Sequence, residues 1–287
     1  MAAPLHTAWF NGSFMPLSEV RISPLDRAFL FGDAVYEVIP VYADQAFLLD
    51  AHLDRLERSL QELGIRNPHR RTEWIDIISG LIEQNGGGNL SVYLQVSRGA
   101  DNRRDHAFPP ESVQPTVFGM VSTMAEPHPD QLGLRAITLA DQRWARCDIK
   151  STALLANLLA RQAAREAGAG EAILLRDGYL SEGSASSVII VEHGVLVRRP
   201  DGPEVLPGTT TAAIFSAATG IGLSCRDEMI SEQRLRQADE IWVAAATRGI
   251  TPVLELDGRK IGDGRPGPVW RQVAAAFEAL KPHGTTH

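Results

Sequence analysis

Tight-turn dipeptides constrain this chain more than any other feature. Asn11-Gly12, Asp177-Gly178, His193-Gly194 and Asp257-Gly258 each interrupt short runs of apolar residues. Asn-Gly and Asp-Gly pairs accept the positive φ of a two-residue hairpin loop, so each such site predicts two adjacent antiparallel strands. A further hairpin is expected where a strand at 35–42 meets the Ala43-Asp44-Gln45 turn and Phe47-Leu48-Leu49. Alternation adds strands at 92–96, 115–122, 134–139 and 241–245. Helical spacing appears after Asp50, read as a cap, with Leu53, Leu56, Leu60 and Leu63 on one face, and again at about 72–85. Three more helices are expected: from about Ser151 to Gly168 with Leu154, Leu155, Leu158 and Leu159 on the apolar side, from Thr209, and from Pro268. Hairpins outnumber strand–helix–strand units. The expected fold class is therefore mixed α/β (α+β) with largely antiparallel sheets, not a doubly wound sheet.

A length of 287 residues suits two domains, drawn at 1–125 and 126–287 with Glu126-Pro127-His128-Pro129-Asp130 as the linker. No apolar stretch has the length of a bilayer span, and Met1 to Trp9 lacks the pattern of a targeting segment, so a cytoplasmic protein is expected. Cys147 and Cys225 are read as reduced thiols. A formal charge of −7 argues against nucleic acid, and the absence of Gly-x-Gly-x-x-Gly, a Walker loop and His-Glu-x-x-His argues against a nucleotide or a metal. The loop 97–115 is polar and long, as functional loops often are. The basic residues are biased: three lysines, Lys150, Lys260 and Lys281, stand against 25 arginines. Only a lysine amine can form a Schiff base. Lys260 and Lys281 look like solvated positions, which leaves Lys150.

Five motifs then fall in register: Gly32-Asp33-Ala34-Val35-Tyr36-Glu37, His52-Leu53-Asp54-Arg55-Leu56, Arg143 to Ser151, Leu180-Ser181-Glu182-Gly183-Ser184 and Leu206-Pro207-Gly208-Thr209-Thr210. In this order and spacing, over about Asp26 to Pro252, the chain resembles the fold-type-IV pyridoxal-phosphate aminotransferases, closest to their D-amino-acid branch. The resemblance implies a homodimer of two-domain subunits with the active site between the domains. It makes Lys150, in the C-terminal domain, the covalent anchor of pyridoxal 5′-phosphate and the general base. Glu182 would face the pyridine nitrogen, where a negative charge strengthens the electron sink. Arg55 would bind the phosphate, helped by Leu206, Thr209 and Thr210 at a helix start and by the turn around Ala246. Tyr36 would hold substrate. Arg104 and His106, contributed across the dimer interface, would trap the α-carboxylate of a D-amino acid that exchanges its amino group with a 2-oxo acid.

Taken alone, each residue has a plainer reading: a surface lysine opening a helix, a solvated turn carboxylate, an ordinary helical arginine, a packing tyrosine, a solvated Arg-x-His. Two departures from the family stand out. Pro40 follows Tyr36-Glu37-Val38-Ile39 where relatives commonly carry a basic residue, and proline suits only an edge or irregular strand position. Ala245-Ala246-Thr247 stands where relatives place hydroxyl residues. A branched-chain L-aminotransferase, an (R)-amine transaminase or an aminodeoxychorismate lyase are alternatives on the same fold, and a binding protein that has lost catalysis is a further one.

Overall fold

The computed structural model describes residues 3–124 and 133–283, so the expected linker at 126–130 lies outside the described residues. Contacts divide the chain into two compact units: residues 1–125 with 149–153 and 282–287, and residues 126–148 with 154–281.

The first unit contains β1 (Thr7–Phe10), β2 (Ser13–Pro16), α1 (Arg27–Phe31), β3 (Ala34–Tyr42), β4 (Gln45–Ala46), α2 (Leu49–Glu62), α3 (Arg71–Gln84), β5 (Leu90–Ser97) and β6 (Thr116–Thr123). Its sheet runs β2-β1-β6-β5-β3-β4, and every pairing is antiparallel. Asn11 and Gly12 take positive φ at the first hairpin, as the sequence requires. The second hairpin is shorter than expected. β4 ends at Ala46, Leu48 turns left-handed at φ 56°, and α2 starts at Leu49, so Asp50 lies inside the first turn instead of capping it. Alternation along β3 buries Val35, Glu37, Ile39 and Val41 completely, and Leu53, Leu56 and Leu60 of α2 pack into the same core. Pro40 sits within β3, yet its carbonyl accepts from Phe47 N–H on the β4 side, the direction in which its nitrogen also points. The missing donor therefore interrupts no bond to β5.

The second unit contains β7 (Leu134–Ala140), α4 (Leu155–Glu166), β8 (Glu171–Arg176), β9 (Tyr179–Gly183), β10 (Ser187–Glu192), β11 (Val195–Arg198), α5 (Thr209–Gly220), β12 (Cys225–Asp227), α6 (Glu232–Gln237), β13 (Glu240–Ala245), β14 (Gly249–Leu256), β15 (Arg259–Lys260) and α7 (Pro268–Glu278). Its sheet runs β12-β11-β10-β13-β14-β7-β8-β9, with β15 on β14. Hairpins supply the antiparallel pairs except β10 with β13, which are far apart in sequence, whereas β11 with β12, β14 with β7 and β7 with β8 are parallel. The helix expected from Ser151 begins only at Leu155, and its leucine row faces outward: Leu155, Leu158 and Leu159 are 61–72 % exposed. Among the described residues no helix is long and apolar enough to cross a membrane.

Candidate active site

Lys150 lies on an extended segment, not at a helix start, and this segment belongs to the first unit by contacts, whereas the sequence boundaries assign it to the second half. The physical reason is backbone pairing. Tyr36 N–H donates to the Lys150 carbonyl at 3.0 Å, Thr152 N–H donates to Ala34 at 2.9 Å, and Ser151 bridges Val35. Ser59 Oγ accepts from Lys150 N–H, and buried Ile149 joins the apolar core. The side chain is half-buried, with its amine 4.2 Å from the Tyr36 ring centroid. A cation is favoured over that ring face, and the geometry restrains the amine without a carboxylate to neutralise it. Among the described residues Lys150 forms no ion pair. Tyr36 is itself stacked on Tyr93 at 5.6 Å.

The other lysines differ. Lys260 is exposed, as expected. Lys281 is not solvated: its side chain is 13 % exposed and pairs with Glu278 beside the Phe277 ring.

Arg55 is a buried residue of α2, not a solvated one, because Glu37 of β3 takes its Nε and Nη2 at 2.8 Å each. His52, one helical turn earlier, donates Nδ1–H to the same carboxylate at 2.8 Å. Burial works against the Glu37 charge, but Arg55 and His52 outweigh it and bring the pKa down to about 2. Burial also lowers the His52 pKa, against the pull of Glu37. A neutral His52 leaves one positive and one negative charge, so Arg55 offers directed hydrogen bonds more than net charge. Sequence reasoning assigned no role to Glu37 or His52. The signal was present: a carboxylate on the buried face of an alternating strand requires a partner.

Arg104 and His106 are exposed and touch neither Tyr36 nor Lys150 by hydrogen bond, ion pair or ring contact. Both rest on Phe31 of α1, at 5.1 and 5.3 Å.

In the second unit Glu182 is buried near the end of β9, where Arg143 Nη1 and the Leu206 N–H donate to its two oxygens. Arg143 also grips Asp141 through Nε and Nη2, at 3.0 Å each, and the Glu204 carbonyl. Although burial opposes ionisation, Arg143 and Ser181 lower the Asp141 pKa to about 2. Arg143 is a third residue that sequence reasoning left without a role. Leu206 contributes through its backbone. Gly208 is the N-cap of α5 and supplies no side-chain cap, and Thr209, Thr210 and Thr211 are all buried in the first turn. Thr211 Oγ1 is buried without a hydrogen-bond partner among the described residues. A helix N-terminus with no side-chain cap and an unsatisfied hydroxyl suits an anion. Ala246 lies half-buried in the turn between β13 and β14.

Taken unit by unit, these groups suit a phosphate-bearing pyridine aldehyde: in the first an amine outside any ion pair among the described residues and a buried arginine, in the second an ion-paired carboxylate and a helix start without a side-chain cap. Comparison with known proteins agrees. The model of the family described as amino-transferase class IV matches residues 34–256. The D-alanine aminotransferases of Bacillus licheniformis and Staphylococcus haemolyticus are 36 % and 34 % identical to it, each over 94 % of this chain and 95 % of the relative. The branched-chain amino acid aminotransferase from Escherichia coli superposes with a TM-score of 0.88 at 25 % identity, covering 98 % of this chain and 96 % of that one. Another branched-chain enzyme, solved with pyridoxamine 5′-phosphate, gives a TM-score of 0.88 at 26 % identity over 96 % of this chain and 94 % of its own. The chain belongs to the class IV aminotransferases, which work with pyridoxal 5′-phosphate.

Proposed function

We propose that this protein transfers the amino group of a D-amino acid such as D-alanine to a 2-oxo acid such as 2-oxoglutarate. The observation that carries the chemistry is Lys150, a half-buried amine outside any ion pair among the described residues and held over Tyr36. Bound pyridoxal phosphate supplies a carbonyl carbon for that amine and a ring that accepts the electrons left at the donor α-carbon. Lys150 Nζ would remove the donor's α-proton and return a proton. Arg55, the first-turn amides of Thr209 and Thr210 and the backbone around Ala246 hold phosphate oxygens. Glu182, kept in place by Arg143 and Leu206 N–H, sets its charge at the pyridine nitrogen. Tyr36, Arg104 and His106 receive the α-carboxylate.

The D-amino-acid reading is supported by the higher identity to D-alanine aminotransferases than to the branched-chain enzymes of similar fold. The exposed row Leu155, Leu158 and Leu159 suits burial against a second copy, in keeping with a homodimer.

The test is a panel of D- and L-amino acids and (R)-amines with 2-oxoglutarate, together with borohydride fixation of the cofactor. D-alanine should exceed L-leucine, the fixed mass should map to Lys150, and Lys150→Ala should lose turnover. Faster L-leucine turnover would overturn the D-amino-acid reading. A mass on Lys260 or Lys281 would overturn the anchor.

A further inference from the structure

The loop that carries Arg104 and His106 has no regular secondary structure between β5 and β6. Its order comes from α1. Arg27, only 6 % exposed, donates through Nη1 to the carbonyls of Asp105 and Ala107 at 2.7 and 3.1 Å, and through Nη2 to His106 at 3.4 Å. One guanidinium thus gathers three consecutive carbonyls, a geometry that the planar five-donor fork permits and an ammonium does not. Its Nε is fixed by Asp33, which also takes a bidentate pair from Arg98 at 2.8 and 2.9 Å. Arg98 in turn lies 3.6 Å from the ring centroid of Phe108, two residues beyond His106 in the loop. Burial opposes the Asp33 charge, but the two arginines outweigh it and lower its pKa.

Phe31 closes α1 and stands among the loop's functional side chains. Its ring centroid is 5.1 Å from the Arg104 guanidinium, 5.3 Å from the His106 ring and 4.9 Å from the Arg27 guanidinium. Arg104 and His106 meet no other ring, and neither side chain forms a hydrogen bond or an ion pair among the described residues. An aromatic face attracts cations and limits the rotamers of a long side chain lying on it. We propose that Phe31, with Arg27, is the positioning platform that aims Arg104 and His106 at the substrate carboxylate, and so sets the preference for carboxylate-bearing donors over plain amines. This inference rests on the role given above to Arg104 and His106. The clamp fixes the backbone and the ring fixes the two side chains.

The test uses Phe31→Leu in the holoenzyme, which removes the ring face and keeps an apolar side chain. KM for D-alanine and the inhibition constant of D-lactate, a carboxylate with no amine to transfer, should both rise about fivefold to tenfold, the range of one exposed cation–ring contact to a partly desolvated one. The kcat and the cofactor affinity should stay within about twofold. In a chain already carrying Arg104→Leu and His106→Leu, adding Phe31→Leu should change neither constant further. An unchanged KM in Phe31→Leu, or an equal rise in both backgrounds, overturns the platform. Arg27→Gln should raise the same two constants and speed proteolytic cutting of the loop. If Arg104→Leu and His106→Leu themselves leave both constants unchanged, the carboxylate-trap reading fails and takes the platform with it. That result is distinct from a failure of Phe31→Leu alone.

Discussion

In the first unit a carboxylate holds the buried arginine proposed for the phosphate; in the second an arginine holds the buried carboxylate proposed for the pyridine nitrogen. Glu37 serves Arg55, and Arg143 serves Glu182. The holders differ in redundancy. Glu37 is fully buried on the core face of β3 and takes two donors of Arg55 as a counter-charge. Arg143 divides its donors among Glu182, Asp141 and the Glu204 carbonyl, so it stays paired when one acceptor is lost. The contrast teaches that the first cluster binds stability and function together, whereas the second lets them be separated.

The largest expected effect follows from that difference. Glu37→Gln removes the charge that balances a buried guanidinium, which typically costs about 3–5 kcal/mol. Glu182→Gln leaves Arg143 on Asp141 and should cost only about 1–2 kcal/mol. Urea unfolding of both variants without cofactor checks the ranking. Equal losses would show that Arg55 and Arg143 depend equally on the carboxylate removed and would break the comparison.

The next effect is catalytic and has the reverse order. In Glu182→Gln with saturating cofactor, kcat for D-alanine should fall about a hundredfold, equivalent to roughly 2.7 kcal/mol in the barrier. Glu37→Gln, once loaded, should retain kcat within about threefold and show its deficit as weaker cofactor retention. Stopped-flow half-reactions give the first number and equilibrium dialysis the second. A Glu182→Gln enzyme with unchanged kcat would remove the pyridine-nitrogen role.

What was legible in the sequence follows the range of the interactions involved. Hairpins are local, and Asn11-Gly12, Asp177-Gly178, His193-Gly194 and Asp257-Gly258 all turn with positive φ where expected. The leucine rows show where local reading stops. α2 and α4 carry similar spacing, yet Leu53, Leu56 and Leu60 are buried while Leu155, Leu158 and Leu159 are exposed. Periodicity identifies an apolar face but not what covers it. The same limit explains the residues given no role. Glu37 and Arg55 are 18 positions apart, and Arg143 and Glu182 are 39 apart, so no spacing rule within one element joins them. The Lys150 segment reads as a helix start because its leucines lie just downstream, but pairing with β3 holds it extended. The short helices α1 and α6 carry too few residues for a period to register, although α1 holds the platform under Arg104.

The smallest expected effect separates the two clusters by pH. Glu37 and Asp141 both fall to about 2 from ordinary values of 4.5 and 3.8. Their stabilisation is complete above those ordinary values and is lost as pH falls toward 2, in both units alike. His52 adds a second window in the first unit only. Burial lowers its pKa below 6.5, so between 6.5 and its folded value the unfolded chain binds a proton that the folded chain does not. Stability must then fall as pH drops below about 6.5, by at most about 1.4 kcal/mol per pH unit for one proton. His52→Asn keeps an N–H donor for Glu37 and cannot titrate. Urea unfolding at pH 7 and pH 5 should therefore show a smaller loss in His52→Asn than in the unmodified chain. His69, whose pKa burial also lowers, is present in both proteins and cancels in the difference. Equal losses would mean that His52 is protonated in the folded state. The Arg55–Glu37–His52 cluster would then carry a net positive charge, and phosphate would be held there by field strength as well as by directed bonds, unlike the charge-balanced pair that a neutral His52 leaves.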